Sequence, residues 1–503
     1  MSMDYDVIIV GSGAGGGSVA LQLAKAGKRV LIIERGRLFT DPEIGQNEKS
    51  MLIERIAHDD RQIEINGRNA RLFVSGIVGG GTSIYGAALL RPSPDDFHPG
   101  KHYSKHLPDY LCDWPIDYET LRPYYDQAED LYHVAGNHQA APPHIASREI
   151  PYSQLPPNLE PINQRLSQSL IDQGIQPFHL PLGIDWNICL RCPTCPGYGC
   201  PNESRASSWK CCIRPAIEKH GAEIWTETEA LQLQLGENGQ VQSLQVLRSQ
   251  TREKVEITAK LYILSAGAVS SPHLLQRSGI KDRSDELGRN YMYHAGALAV
   301  GFFKRPTSAA ERFIKQLGWT DDYFGTPSFE HKLGYFQALP IPGPLSIKSE
   351  APFPVPLSAA KFLHARSMAF AGAVEDLPRR DNRVSVARDG QMRLTHRFHS
   401  YDIFRARFIL KRLQKFLKKA GAVIVAGATA EKDDLHTAHQ VGTCRFGNDP
   451  EKSVLDPNCR LHGVENLYVI DGSFMPTSLG VGPALTIIAN SLRVSDHIIK
   501  EVL

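Results

Sequence analysis

Long apolar runs are missing from this 503-residue chain. A membrane-spanning helix needs roughly 20 consecutive apolar residues, whereas the run over residues 295–303 stops at Lys304 and the one over 421–430 is also too short. A charge excess of one sign is missing as well. With 56 Lys+Arg against 54 Asp+Glu the formal charge is +2, and a dedicated nucleic-acid binder carries a strong basic excess. The first residues, Met1-Ser2-Met3-Asp4-Tyr5-Asp6, lack the basic and apolar regions of a signal peptide. No repeat or low-complexity tract is visible. These absences lead to the expectation of a soluble, cytoplasmic protein with no membrane span and no nucleic-acid partner.

What is present is ordinary globular composition, 42% hydrophobic and 22% charged. Gly 42 and Pro 33 suit a loop-rich enzyme. At roughly 150 residues per domain the length suggests three units, or two domains interleaved along one chain. Six of the nine cysteines lie between Cys189 and Cys212, a clustering that points to metal or redox chemistry more than to a disulfide framework.

Order is most legible at the two ends. Val7-Ile8-Ile9-Val10 reads as a buried strand, residues 18–26 as a helix and Val30-Leu31-Ile32-Ile33 as a second strand, a βαβ unit. Residues 259–264 and 466–470 read as later strands of the same sheet, and a helix is expected from about Ala484. The Pro-rich stretches 142–181 and 340–356 suit loops or cover segments. Between strand and helix stands Gly11-Ser12-Gly13-Ala14-Gly15-Gly16, with Glu34 closing the second strand. Gly11 permits the turn, Gly13 lets backbone approach a pyrophosphate, Gly16 lets the helix pack closely, and Glu34 would accept hydrogen bonds from a ribose. This motif alone leaves FAD and NAD both open.

Three further blocks decide the reading: 78–86, with Gly80, Thr82, Ser83 and Tyr85; 267–280; and His439-Gln440-Val441-Gly442-Thr443-Cys444, followed by Asp471-Gly472-Ser473 and Gly480-Val481-Gly482-Pro483-Ala484-Leu485-Thr486. With Trp114-Pro115-Ile116, Gly288-Arg289-Asn290 and His294 the set resembles the glucose-methanol-choline (GMC) flavoprotein oxidoreductases over nearly the whole chain. The resemblance implies an α/β fold: a Rossmann-like FAD-binding domain interleaved with an α+β substrate domain built on an antiparallel sheet. The expected division is 1–105, 200–300 and 435–503 for FAD, and 106–199 and 301–434 for substrate, with the Cys-rich segment 189–212 at the boundary. Carried over by position, Gly11, Gly13, Gly16 and Glu34 would hold the ADP half of FAD, and Ala230 would touch the adenine side. Gly80, Thr82 and Ser83 would line the flavin, while Asp471, Gly472 and Thr486 would hold the ribityl–pyrophosphate region and the pyrimidine end. Relatives that attach FAD covalently do so through a His where this chain has Ile84, so non-covalent FAD is expected.

The chemistry implied is oxidation of a CH–OH group on a small hydroxylated substrate, with hydride going to flavin N5 and the electron acceptor unknown. His439 matches the family's catalytic His, His436 is the nearest substitute, and a structural role is expected for His294. Gly482 departs from the Asn or His usual in relatives, and Tyr85 from the Asn many carry. The alternative is therefore a protein of the same fold with non-redox or light-driven chemistry. Cys189, Cys192, Cys195 and Cys200 at this spacing suit an iron–sulfur cluster or a tetrahedral zinc, although relatives with a similar segment need no metal, and none is favoured. The basic residues Arg405, Arg407, Lys411, Arg412, Lys415, Lys418 and Lys419 are expected on the solvated face of an amphipathic helix.

Overall fold

The computed structural model describes residues 4–351, 353–432 and 438–503. Its first core is a five-stranded, fully parallel sheet in the spatial order Leu467–Val469, Ala259–Leu264, Tyr5–Val10, Val30–Ile33, Glu223–Trp225. The central strands read as continuous Val/Ile/Leu runs because both faces are covered; Val7, Ile8, Ile9, Leu31 and Ile32 have no exposed surface. Helix Ala14–Lys25 crosses over between the first two strands, beginning four residues earlier than its apolar pattern suggests, because Ala14 and three glycines form its first turn. It packs on the C-terminal helix Ala484–His497, which in turn packs on Tyr118–Leu131.

The second layer is a six-stranded antiparallel sheet, ordered Ile424–Thr429, His294–Phe302, Ser367–Glu375, Phe336–Leu339, Leu317–Trp319, Phe178–His179. Helix Ser400–Lys419 lies across it, burying Ile409, Leu413 and Phe416 against Trp319, Phe336 and Phe370. The α/β class and an antiparallel second sheet are thus as expected.

Three local readings need correction. Both Pro-rich stretches contain helices, Pro161–Ile171 and Pro344–Glu350, each opening on proline; a proline at the first helical position loses no intrahelical hydrogen bond and has its φ already set. Arg405 is not on a solvated face. It is fully buried, donating to the Asp402 carboxylate at 2.6 Å, the Tyr103 hydroxyl at 2.7 Å and the Glu375 carbonyl at 2.8 Å, because a guanidinium can be buried when acceptors fill its fork. Arg412 likewise pairs with Asp322. Among the described residues no helix is long and apolar enough to cross a membrane.

Candidate functional site

The site is built where the parallel strands end. Gly11 has φ +102°, a conformation that favours glycine, and a Cβ there would run into the Ser265 carbonyl. Side chains at Gly15 and Gly16 would collide with the carbonyl oxygens of Ile470 and Gly11, so these glycines serve helix-on-strand packing. Gly13 is different: nothing lies within 4 Å of a Cβ built on it, and the same holds at Gly81 in the second glycine loop, while Gly80 abuts Gly13. Helices Ala14–Lys25 and Ala484–His497 start with no side-chain cap, which leaves N–H groups and positive dipole ends available to an anion. Open space at backbone, beside uncapped helix starts, fits FAD.

The polar residues mostly shape this cradle from behind. Glu34 accepts from the Ser12 N–H (3.0 Å) and the Ser12 hydroxyl (2.6 Å) on Oε2 and from the Gly36 N–H (2.6 Å) on Oε1, so Oε1 keeps a lone pair for a ribose. The Thr228 N–H donates to the Glu34 carbonyl, bringing strand Thr228–Leu235, with Ala230, to the same end. The Ser12 hydroxyl accepts from the Gly79 N–H at 2.9 Å; Thr82 donates to the Gly79 carbonyl and accepts from the Ser208 N–H; Ser83 donates to the Val78 carbonyl. The hydroxyls of Thr82 and Ser83 therefore set the backbone of their own loop. Asp471 is saturated, accepting from the Gly267 N–H, the hydroxyls of Ser271 and Ser473 and the Ser473 N–H. Thr486 meets the Tyr125 hydroxyl at 2.9 Å, and Gly472 lies against the Gln440 carbonyl, next in sequence to His439.

At His439 the hydrogen bonds determine where the protons sit. His294, the first residue of its strand, has Nε2 2.8 Å from the Leu479 carbonyl and Nδ1 2.8 Å from His439 Nδ1. A carbonyl only accepts, so His294 Nε2 carries a hydrogen. In a neutral ring its Nδ1 is then an acceptor, and His439 Nδ1 must be the donor. His439 Nε2 is left with a free lone pair. Burial, then His294, then Lys315 push the His439 imidazole down to about 3, and burial also lowers His294, so both rings are neutral. His439 (φ +70°) and Leu479 (φ +61°) are non-glycine residues in the left-handed region, strain of the kind that surrounding structure must hold in place. Nε2 points at position 482, where a Cβ would lie 3.5 Å away. Tyr85 is turned aside, its hydroxyl donating to the Ala206 carbonyl at 2.6 Å. His436 lies outside the described residues.

The cysteine segment is tied to the second glycine loop by Arg205. Its guanidinium donates to the carbonyls of Ser83, Tyr85, Cys195 and Tyr198. Cys189, Cys192, Cys195 and Cys200 are free thiols lining one cavity with Arg205 and Phe313. Burial and neighbouring thiols raise Cys192; burial works the same way on Cys200, but the Ser204 hydroxyl, the Arg205 charge and backbone N–H groups outweigh it and hold that thiol below its usual range. Among the described residues no group of three or more His, Cys, Asp or Glu is arranged to hold a metal ion.

Three residues that support this site carry no local sequence signal: Ser208, which joins the two glycine loops, Arg205, and the buried Lys315. Each is recognised only through partners far away in the chain. Comparison with known proteins agrees with this architecture. Residues 5–296 and 378–491 match the N- and C-terminal family models described as GMC oxidoreductase. The chain is similar to 6'''-hydroxyparomomycin C oxidase of Streptomyces lividus, 28% identical over 99% of this chain and 92% of that one. It is also similar to 2-methyl-1,2-propanediol dehydrogenase of Mycolicibacterium austroafricanum, 27% identical over 99% and 95%. Its fold is like that of the solved pyridoxine 4-oxidase from Mesorbium loti, with a TM-score of 0.68 at 20% identity and 98% coverage of both chains.

Proposed function

The chain belongs to the GMC oxidoreductase family, and from that premise we propose that it oxidises the CH–OH group of a small hydroxylated molecule, with His439 as the base and FAD bound non-covalently. The relatives named above are an oxidase and a dehydrogenase whose names carry hydroxylated compounds, which supports an alcohol as donor. FAD, when bound, supplies a two-electron acceptor for a hydride. The chain's own residues do the rest. Gly13 and the uncapped start of helix Ala14–Lys25 would take the pyrophosphate, Glu34 the ribose, and the 80–83 loop would line the flavin. Ile84 offers no nucleophilic atom for a covalent link.

The observation that carries the reading is the hydrogen-bond chain from the Leu479 carbonyl through His294 to His439. It leaves Nε2 as the ring's single proton acceptor. When Nε2 takes the hydroxyl proton, the Nδ1–H still donates to a neutral His294, so the new imidazolium keeps its partner. His294 thus acts as a positioning residue, fixing both the tautomer and the aim of the ring. Gly482, with no side chain beside Nε2, favours a second reading in which the same fold runs light-driven or non-redox chemistry.

Anaerobic addition of sugars, polyols, sterols and aliphatic alcohols to the FAD-loaded protein, followed by flavin absorbance, separates the two. Bleaching by at least one alcohol in the dark is expected. Flavin that stays oxidised with all of them, but turns over substrate on illumination, would favour the second reading.

A further inference from the structure

Position 482 leaves the proton acceptor without the neighbouring side chain that would hold a substrate oxygen. An ammonium group not used so far is buried beside the second glycine loop. Lys315 precedes strand Leu317–Trp319 and is only 6% exposed. Among the described residues its Nζ makes one hydrogen bond, to the Gly86 carbonyl at 2.9 Å, although an ammonium has three hydrogens to place. Its chain neighbour but one, Phe313, belongs to a continuous apolar cluster with Tyr85, Cys195, Tyr335 and Val481. Tyr85 adjoins Gly86 and Val481 adjoins Gly482, and the Tyr335 N–H donates to the Gly480 carbonyl. The apolar cluster that includes Phe313 thus runs from the second glycine loop to the residue before Gly482, and Lys315 sits over that loop, where a Cβ at Gly86 would run into its Nζ.

From this geometry, and resting on the alcohol-oxidation reading above, we propose that Lys315 is a second catalytic residue: its ammonium donates a hydrogen bond to the substrate oxygen whose proton His439 Nε2 accepts. Lys315 keeps its own proton throughout, and no electron passes through it. A buried ammonium with one neutral acceptor is costly unless further acceptors complete its shell, and an oxygen gaining negative charge as its proton leaves meets that need. The charged and titratable groups that act on it are Cys195 and Arg205 on the cysteine segment, and it acts in turn on His439. Burial, against Cys195 and assisted by Arg205, brings Lys315 down to about 8, and its charge is felt at His439. The protonated, donating form is present below that value and lost above it.

Acetate, a small oxyanion that no hydride can leave, is the probe. Titrated into the FAD-loaded wild type and read by flavin difference absorbance, it should bind at pH 7 and weaken at least about tenfold by pH 9.5. Lys315→Met should lose at least tenfold in acetate affinity, become insensitive to pH, and reduce its flavin with a bleaching alcohol at least tenfold more slowly, with FAD content unchanged. Wild-type acetate binding with no alkaline loss would overturn the proposal, as would Lys315→Met binding acetate and reducing flavin within twofold of wild type. Where Lys315→Met fails to retain FAD, Lys315→Arg decides: its permanent charge should move the alkaline loss above pH 10, and a loss still near pH 8 contradicts the assignment. The acetate arm needs no alcohol. A positive result there, with no alcohol bleaching the flavin, sinks alcohol oxidation and leaves the oxygen-binding lysine standing.

Discussion

Single glycines in the first loop do different work, and the difference can be measured. A Cβ at Gly16 would overlap the Gly11 carbonyl and come within 3.0 Å of the Ser265 side chain, whereas one at Gly13 meets no protein atom within 4 Å. Gly13→Ala should therefore leave the thermal stability of the FAD-free protein within roughly 1 kcal/mol of wild type while weakening FAD binding about tenfold or more. Gly16→Ala should fail to accumulate as folded protein, because backbone has to move to admit the methyl group. Thermal melts of the FAD-free forms, together with a flavin titration, check both; equal FAD affinity in Gly13→Ala and wild type would remove that glycine from the cofactor cradle. The same scale explains what could be read in advance. Gly11, Gly13 and Gly16 sit in a local pattern whose spacing carries the geometry, and His439 is legible through the family resemblance of its block. Lys315 and Ser208 are not legible, since each matters through a carbonyl or hydroxyl more than a hundred residues away.

At the scale of elements, the cysteine segment and the second glycine loop behave as one unit, because Arg205 stands between them with donors to four main-chain carbonyls. Removing it would take a donor from each of them, a cost that water entering the vacated space offsets in part, since a carbonyl left wholly unpaired costs roughly 1–3 kcal/mol. Arg205→Ala is expected to destabilise the protein by about 2–4 kcal/mol and to release FAD, seen as free flavin fluorescence rising at lower temperature than in wild type. A variant that keeps its FAD and its melting curve would show the two segments to be independent. Elements also mark where sequence patterns misled. Helices Pro161–Ile171 and Pro344–Glu350 hide in Pro-rich stretches because proline both breaks and begins helices. Arg405 lies in a basic run, yet its acceptors come from Tyr103 and Glu375, on segments the run itself cannot reveal.

Across the whole molecule, the parallel sheet presents the first glycine loop and the antiparallel sheet delivers His294 from the first residue of strand His294–Phe302. The paired imidazoles thus join two layers, with His294 taking its remaining acceptor from Leu479 near the start of the last helix. Strand runs and the first glycine loop made the parallel sheet legible and the family resemblance implied the antiparallel one, while the contact between residues 145 positions apart was not legible, because only the closed fold brings the two Nδ1 atoms to 2.8 Å. The account stands or falls on His439 Nε2 being the proton acceptor. The direct measurement is the rate constant for anaerobic flavin reduction, by whichever alcohol bleaches the wild type, in FAD-replete His439→Ala. A fall of roughly 10²–10⁴-fold, the range for a positioned general base, is predicted with FAD content unchanged; a variant that reduces its flavin within a few-fold of the wild-type rate would contradict it.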